Sequence, residues 1–219
     1  RHEPAVTAFL ASLQPDLLPP VLAVETGEGW LLLGDAGTTL RALVRSPADL
    51  AHWERLLPRY AELQQAAALR LPDLLATGIP DRRLEQLPAL YAGLLDDHAA
   101  LLLGQAGGLT PAAHNDLRGL AGRVAALCAE LAAYGLPAAV QHDDFHDANI
   151  FYNSGGYAIA DWGESCAAHP FFSLLIASRS TAYRLGLAED GPEMLRLRAA
   201  YLEAWEAFAP RADLWAAFA

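Results

Sequence analysis

The first forty residues carry one helical pattern followed by two strand patterns. Apolar residues recur at helical spacing over residues 6–13, and a proline follows shortly afterwards. Apolar runs at residues 21–25 and 30–33 flank residues 26–29, whose sequence Thr-Gly-Glu-Gly is typical of a turn. The pattern predicts a short helix, a β-hairpin and then a loose connector at residues 34–37.

From residue 46 onward the pattern is mainly helical. Ser46 and Pro47 form a typical helix start, and the helical pattern continues to about residue 71, with Pro58 expected to bend or end the first helix. Thr110 opens another helix, whose apolar residues recur until about residue 131. Three further helices are predicted near the end of the chain, over residues 171–187, 193–208 and 213–218.

A compact β segment lies between these helical stretches, over residues 138–161. Short strand patterns at residues 150–152 and 157–160 are joined by residues 153–156, which read Asn-Ser-Gly-Gly. Such residues accept the backbone angles of tight turns, so the segment is predicted to end in a β-hairpin.

Composition narrows the class of protein. Of the 219 residues 53% are apolar and 19% are charged, as in ordinary folded globular proteins. We expect a cytoplasmic protein, because the sequence has no apolar run of membrane-spanning length and no signal-peptide pattern. Cys128 and Cys166 are far apart, so neither a zinc knuckle nor a disulfide framework is predicted.

The balance of charge bears on the partners. The net charge of −11 disfavours nucleic acid, because phosphate backbones select basic surfaces. An acidic chain slightly favours a cationic small molecule, although solubility is the simpler explanation. All fifteen basic side chains are arginine, and the chain contains no lysine.

The register of the predicted hairpin brings two oxygen-bearing side chains together. If Tyr152 pairs with Tyr157, then Asn149 lies opposite Ala160 across the ladder. Asn149 and Asp161 are then diagonal neighbours at the open end, roughly 5–8 Å apart. Since Mg²⁺ prefers oxygen ligands, this pair is a candidate metal site.

Asp144 lies in the loop that leads into the hairpin, close enough to reach the same cavity. A carboxylate that lies near a metal site, but is not itself fully engaged as a metal ligand, can orient a hydroxyl group and accept its proton. Phosphoryl transfer needs this arrangement of metal, positioned acceptor and base. We therefore predict Asp144 as the catalytic base or orienting group, with Asn149 and Asp161 as metal ligands.

The run from His142 to Asn149, which reads His-Asp-Asp-Phe-His-Asp-Ala-Asn, together with Asp161-Trp162, resembles a known pair of motifs. It is similar to the catalytic loop and metal-binding dipeptide of the aminoglycoside phosphotransferase-like family, which includes choline kinase-like small-molecule kinases. The resemblance implies an α+β, protein-kinase-like fold and a phosphotransferase that uses ATP and Mg²⁺. The acceptor would be a hydroxyl of an aminoglycoside-like, choline-like, sugar or amino-acid alcohol, and His142 and His146 would support the catalytic loop.

The resemblance also implies an organisation for the chain. Residues 1–37 would be the remainder of a small, β-containing nucleotide-binding N-lobe and its hinge. Residues 38–219 would be a mainly helical C-lobe with the catalytic β-hairpin set into it. Backbone groups of Leu33, Gly34 and Asp35 would hold the adenine.

Glu3 falls where the family has a helix glutamate that pairs with a strand lysine. That lysine and the Gly-rich strands would precede residue 1, and the chain begins with Arg1 instead of methionine. We therefore expect an N-terminal segment upstream of Arg1 that carries the lysine.

The chain departs from the family pattern at three positions. Ser173 stands where an aspartate is common, while Asp143 and Asp147 replace the usual glycine and proline of the catalytic loop. Asp143 and Asp147 would serve either as solvated loop charges or as contacts for a cationic substrate. We expect solvated loop charges, because aspartate side chains are mostly exposed.

Two other functions stay open from the sequence. A degenerate kinase-like module that binds a ligand without catalysis would fit the missing lysine. A metal-dependent phosphohydrolase would fit the pairs His142-Asp143 and His146-Asp147, although such sites usually draw histidines from separate helices.

Overall fold

The computed structural model describes residues 2–25 and 27–219, so Arg1 and the predicted turn residue Thr26 lie outside the described residues. The helices are α1 (Glu3–Leu13), α2 (Leu40–Leu43), α3 (Ala51–Leu69), α4 (Leu71–Ala76), α5 (Leu87–Asp96), α6 (Pro111–Gly119), α7 (Ala121–Ala132), α8 (Phe171–Leu185), α9 (Pro192–Glu203) and α10 (Arg211–Phe218). The strands are β1 (Val21–Glu25), β2 (Trp30–Leu33), β3 (Thr38–Thr39), β4 (Ala139–Gln141), β5 (Ile150–Asn153), β6 (Gly156–Ile159) and β7 (Cys166–Ala168).

Small antiparallel sheets are formed by these strands. Strands β1 and β2 form the predicted first hairpin, and β4 pairs with β7. Strand β5 lies between β3 and β6 in a second sheet. Short antiparallel sheets among many helices confirm the predicted α+β class.

Helix α3 differs from the prediction because it continues through Pro58. Proline removes one helical hydrogen bond and crowds the preceding turn. The packing of the apolar face offsets this cost, since tertiary burial supplies most of the stability of a helix. The side chains of that face next to the proline are fully buried: Trp53, Leu56, Leu57 and Tyr60.

The helix predicted from Thr110 to about residue 131 is two helices, α6 and α7, which meet at Leu120. Glycines on both sides of this junction, Gly119 and Gly122, weaken a continuous helix because glycine loses the most backbone entropy. Thr110 caps α6 as predicted, with its hydroxyl oxygen accepting the N–H of Ala113 at 3.2 Å.

The chain separates into two compact units, Arg1–Pro80 with Leu136–Ala219, and Asp81–Gly135. All of the predicted site residues belong to the first unit. Its core contains the fully buried aromatic residues Trp53, Tyr60, Phe145, Trp162, Tyr201 and Trp205. The predicted boundary between lobes at residues 37 and 38 stays a prediction. Among the described residues, no helix combines the length and apolarity that crossing a membrane requires.

Candidate active site

The second hairpin adopts the predicted register, with Tyr152 opposite Tyr157. The ladder extends by one further pair, because the N–H of Ala160 donates to the carbonyl of Asn149 at 2.9 Å. Asp161 follows in the left-handed conformation with a φ of 63°, which aspartate tolerates better than most residues. Strand β6 ends shortly before this position, at Ile159, so the exposed Asp161 and the half-buried Asn149 lie at the same open end of the hairpin.

The Asp144 carboxylate is held on two sides. Its Oδ2 accepts a hydrogen bond from Nδ2 of Asn149 at 2.9 Å, and its Oδ1 lies 3.2 Å from Nε2 of His146. The Asp144 side chain is nevertheless 44% exposed. The carboxylate is therefore fixed in direction and still open to a molecule that approaches from solvent.

His142 connects the predicted catalytic loop, residues 142–149, to the end of β6. Its Nε2–H donates to the carbonyl of Ala160 at 2.9 Å, and its Nδ1 accepts the N–H of Asp144 at 3.3 Å. The ring is buried, and this burial lowers its pKa, so the neutral form persists. Because both ring nitrogens are engaged, His142 supports the Asp144 turn and has no nitrogen left to bind a metal.

Two buried hydroxyl groups hold the start of the same loop. The Ser173 and Tyr60 oxygens lie 3.0 and 3.1 Å from the backbone nitrogen of His142, and they lie 2.7 Å from each other. The Tyr60 ring also stacks on Phe145 of the loop. Ser173, which replaces the usual aspartate, thus contacts the loop together with a tyrosine that sequence reasoning did not identify.

The donor atoms near the hairpin suit Mg²⁺. Nδ2 of Asn149 points at Asp144, so its Oδ1 points away from that carboxylate, and Asp161 adds exposed carboxylate oxygens. Among the described residues, no group of three or more His, Cys, Asp or Glu side chains is arranged to hold a metal. Two oxygen ligands from the protein fit an ion that keeps several waters and binds phosphates.

Glu3, at the first position of α1, lies beside Asp161. Atoms Oε2 of Glu3 and Oδ1 of Asp161 are 3.4 and 3.7 Å from the point that a Cβ on Gly163 would occupy. Burial raises the pKa of Glu3, and the Asp161 charge raises it further, while a hydrogen bond from the Trp162 backbone opposes both effects. A cation placed near this pair of carboxylates would relieve their repulsion.

The predicted hinge residues follow β2. The N–H of Gly34 donates to the carbonyl of Pro20 at 2.7 Å, so this donor is engaged within the protein. The Asp35 carboxylate accepts the N–H of Gly37 at 2.9 Å and closes a tight turn. The backbone groups of Leu33 and Asp35, and the Gly34 carbonyl, stay candidates for adenine binding.

The expectation that Asp147 is a solvated charge is wrong. Its side chain is 5% exposed, and it lies 2.9 Å from Nε of Arg41 and 2.6 Å from Nε of Arg184. No local signal could reveal this, because Arg41 is 106 positions away. Asp143 is half-buried, and its Oδ1 accepts a long hydrogen bond of 3.4 Å from Gln141.

Comparison with known proteins places these residues in context. The sequence profile described as "Phosphotransferase enzyme family" matches residues 4–211. No curated protein sequence matches the chain at a significant level.

Solved structures share the fold across nearly the whole chain. An ethanolamine kinase from Plasmodium vivax has 14% identity and a TM-score of 0.60, over 98% of this chain and 60% of its own. A choline/ethanolamine kinase family protein from Mesorhizobium loti has 19% identity and a TM-score of 0.54, over 99% of this chain and 69% of its own. APH(2")-IIia, solved with GDP and kanamycin, has 13% identity and a TM-score of 0.50, over 99% of this chain and 80% of its own.

The predicted kinase-like fold is therefore confirmed, and this chain spans 60% of the length of the Plasmodium vivax ethanolamine kinase. The family match covers residues 4–211, which include the predicted catalytic loop, the second hairpin and Asp161. This chain belongs to the phosphotransferase enzyme family.

Proposed function

We propose that this protein transfers the γ-phosphate of ATP to a hydroxyl group of a small molecule, with Mg²⁺ as the metal. The observation that carries the proposal is the 2.9 Å contact between Asn149 and the Asp144 carboxylate, at the hairpin end that also bears Asp161. A base and two oxygen ligands of different character at one locus are what phosphoryl transfer requires of a protein.

Asp144 would orient the acceptor hydroxyl and accept its proton. Its two hydrogen-bonding neighbours, Asn149 and His146, keep the carboxylate from rotating. An acceptor bound against this fixed and partly exposed group loses little further entropy on reaching the reactive geometry.

Asn149 and Asp161 would hold the metal through Oδ1 and a carboxylate oxygen. When bound, Mg²⁺ neutralises charge on the nucleotide phosphates. The exposed position of Asp161 supports this role, because the nucleotide and the waters of the ion need space on the same side.

The lysine that the chain lacks would come from additional β-structure packed on the first hairpin. Strands β1 and β2 carry large exposed apolar side chains: Leu22, Val24, Trp30 and Leu32, with Trp30 69% exposed. A two-stranded hairpin is marginally stable by itself, and a large exposed apolar patch marks a surface that another element covers. The adjacent carboxylates of Glu3 and Asp161 favour a cation on the covering element.

The acceptor is proposed to be a small amine that bears a hydroxyl group. Ethanolamine, choline and kanamycin, which are named for the proteins of similar fold, are all cationic alcohols. The net charge of −11 favours a cationic substrate in the same sense.

The test is phosphoryl transfer from Mg²⁺-ATP to a panel of small hydroxyl-bearing amines and sugars, with the full-length protein. For Asp144→Asn we expect kcat to fall by about 10³-fold, because a general base contributes on the order of 10²–10⁴-fold. Calorimetry should show nucleotide affinity within about twofold of wild type, since the metal ligands are intact. Asp143→Asn, the same change one residue earlier, is the matched control and should keep most of the activity.

Asp161→Ala should instead weaken nucleotide binding in the presence of Mg²⁺ and leave metal-free binding nearly unchanged. Wild-type turnover by Asp144→Asn would remove Asp144 from its role. If the wild-type protein binds nucleotide but phosphorylates no acceptor in the panel, the degenerate binding module becomes the better description.

A further inference from the structure

We propose that Asp147 is a positioning residue, whose ion pairs with Arg41 and Arg184 hold the catalytic loop against α2 and α8. We call these three residues the Asp147 bridge. The effect on turnover rests on the proposed phosphotransferase function, whereas the effect on the loop itself does not.

The burial of Asp147 indicates that its charge has a structural purpose. A carboxylate that is 5% exposed loses most of its hydration, and only close cations or several hydrogen bonds compensate for that loss. Arg41 and Arg184 supply two cations from two different helices, within 2.9 and 2.6 Å. The loop therefore gains long-range attachments through one side chain.

Arg41 is attached to the loop at two points. Its Nε donates to Oδ1 of Asp147 at 2.9 Å, and its backbone N–H donates to the carbonyl of the same residue, also at 2.9 Å. Arg41 belongs to α2, directly after β3, and β3 pairs with β5 of the catalytic hairpin. Loop, hairpin and α2 are thus joined by consecutive contacts.

Helix α8 reaches the loop at both of its ends. Near the start of the helix, the Ser173 hydroxyl contacts the backbone N–H of His142, and in the last turn Arg184 contacts Asp147.

The compact shape of the loop transmits any displacement of Asp147 to the candidate catalytic groups. The N–H of His146 donates to the carbonyl of Asp144 at 2.8 Å, and the N–H of Asn149 donates to the carbonyl of His146 at 3.1 Å. Asp147 lies inside this pair of turns. If a substitution removes the charge of the Asp147 carboxylate, Arg41 and Arg184 repel each other and displace the loop. Asp144 and Asn149 then move with the loop.

The experiment compares Asp147→Asn, Arg184→Gln and the double variant in the full-length protein. For Asp147→Asn we expect kcat to fall by about 10–100-fold, since misplacement of reacting groups by about 1 Å costs up to roughly 10²-fold. We expect the nucleotide Kd to change by less than about twofold, because Asn149 and Asp161 keep their side chains. The kcat of the double variant should be no lower than that of Asp147→Asn alone, because both substitutions break the same ion pair.

Hydrogen exchange of the loop amides, followed by mass spectrometry without any substrate, gives the second readout. Amides of residues 144–149 should exchange at least about tenfold faster in Asp147→Asn and remain at the wild-type rate in Glu203→Gln. The latter control loses an exposed ion pair with Arg211 by the same acid-to-amide change. If Asp147→Asn does not fold, Arg184→Lys, which keeps the charge without the Nε contact, replaces it in both measurements.

Two results would overturn the proposal: unchanged loop exchange in Asp147→Asn, or effects of the two single substitutions that multiply in the double variant. A wild-type protein without transfer activity, but with faster loop exchange in Asp147→Asn, would reject the phosphotransferase function and retain the bridge.

Discussion

The buried residue His169 makes the stability of the folded protein depend on pH. His169 is 3% exposed, its Nδ1 accepts the N–H of Phe171 at 3.3 Å, and its Nε2 has no hydrogen-bond partner among the described residues. Burial lowers the pKa of His169 to about 4. The protein therefore folds around the neutral ring, because protonation would break the contact with Phe171 and bury a charge.

This pKa predicts that acid destabilises the protein through His169. The folded pKa is below the usual 6.5, so the unfolded chain binds more protons between pH 6.5 and 4, and stability falls as the pH falls through that range. His169→Gln should reduce the loss of unfolding free energy between pH 7 and pH 4 by up to about 3 kcal/mol. Urea unfolding of the wild type and of His169→Gln at pH 7 and pH 4 measures this difference.

His98→Gln is the control for this prediction, because the His98 side chain is exposed in the folded protein, whereas that of His169 is buried. Equal pH dependence of wild type and His169→Gln would contradict the prediction.

Gly37 shows how closely the segment before β3 approaches the second hairpin. Its φ is 96°, and a Cβ at this position would lie 2.5 Å from the carbonyl oxygen of Tyr152. Gly29 has a φ of 77°, but a Cβ there would meet no described atom within 4 Å. The two glycines therefore share a positive φ and differ in the space around them.

Gly37→Ala should destabilise the protein by about 3 kcal/mol or more, because backbone strain and a clash with backbone atoms add together. Gly29→Ala should cost about 1 kcal/mol, since only the strain of the left-handed conformation applies. Urea denaturation compares the two variants. Equal losses would show that the Gly37 segment can move away from β5 without cost.

Elements with strong local signals could be predicted, and those that depend on packing could not. Residues 153–156 determine the second hairpin and its register, because a tight turn leaves few ways to pair the flanking strands. Pro58 suggested a helix end, yet α3 continues because its apolar face is buried. The contact of β3 with β5 has no signature in two threonines, Thr38 and Thr39, and follows from the path of the chain.

At the scale of the whole molecule, the two cysteines report on the two compact units separately. Cys128 is half-buried in α7, and burial raises the pKa of its thiol. Cys166 is 2% exposed, and its Sγ donates to Oε1 of Gln141 at 3.0 Å between β7 and β4. Access to Cys166 therefore requires the paired strands of the first unit to open.

We predict that a chromogenic disulfide reagent at pH 8 modifies one thiol per chain in the native protein and two in denaturant. Cys128 should react slowly in the native state because its raised pKa leaves less thiolate. The Cys128→Ser variant should show no native reaction, and Cys166→Ser should behave as wild type does. Rapid native modification of both thiols would show that the first unit opens without global unfolding.

The sequence by itself determined the family of this protein and the local arrangement of the candidate site. The spacing of His142, Asp144, His146 and Asn149, with a hairpin leading to Asp161, was enough to predict the family. Such spacing is informative because short loops and tight turns constrain nearby side chains whatever the rest of the chain does.

Only the tertiary structure decided what holds the candidate site in place. Tyr60 meets Ser173 across 113 positions, and Arg41 meets Asp147 across 106, so neither contact has a local pattern. These contacts depend on how helices pack around the core, where many sequences give the same apolar pattern. For the same reason Asp147 looked like a solvated charge until the arrangement of α2 and α8 placed two arginines beside it.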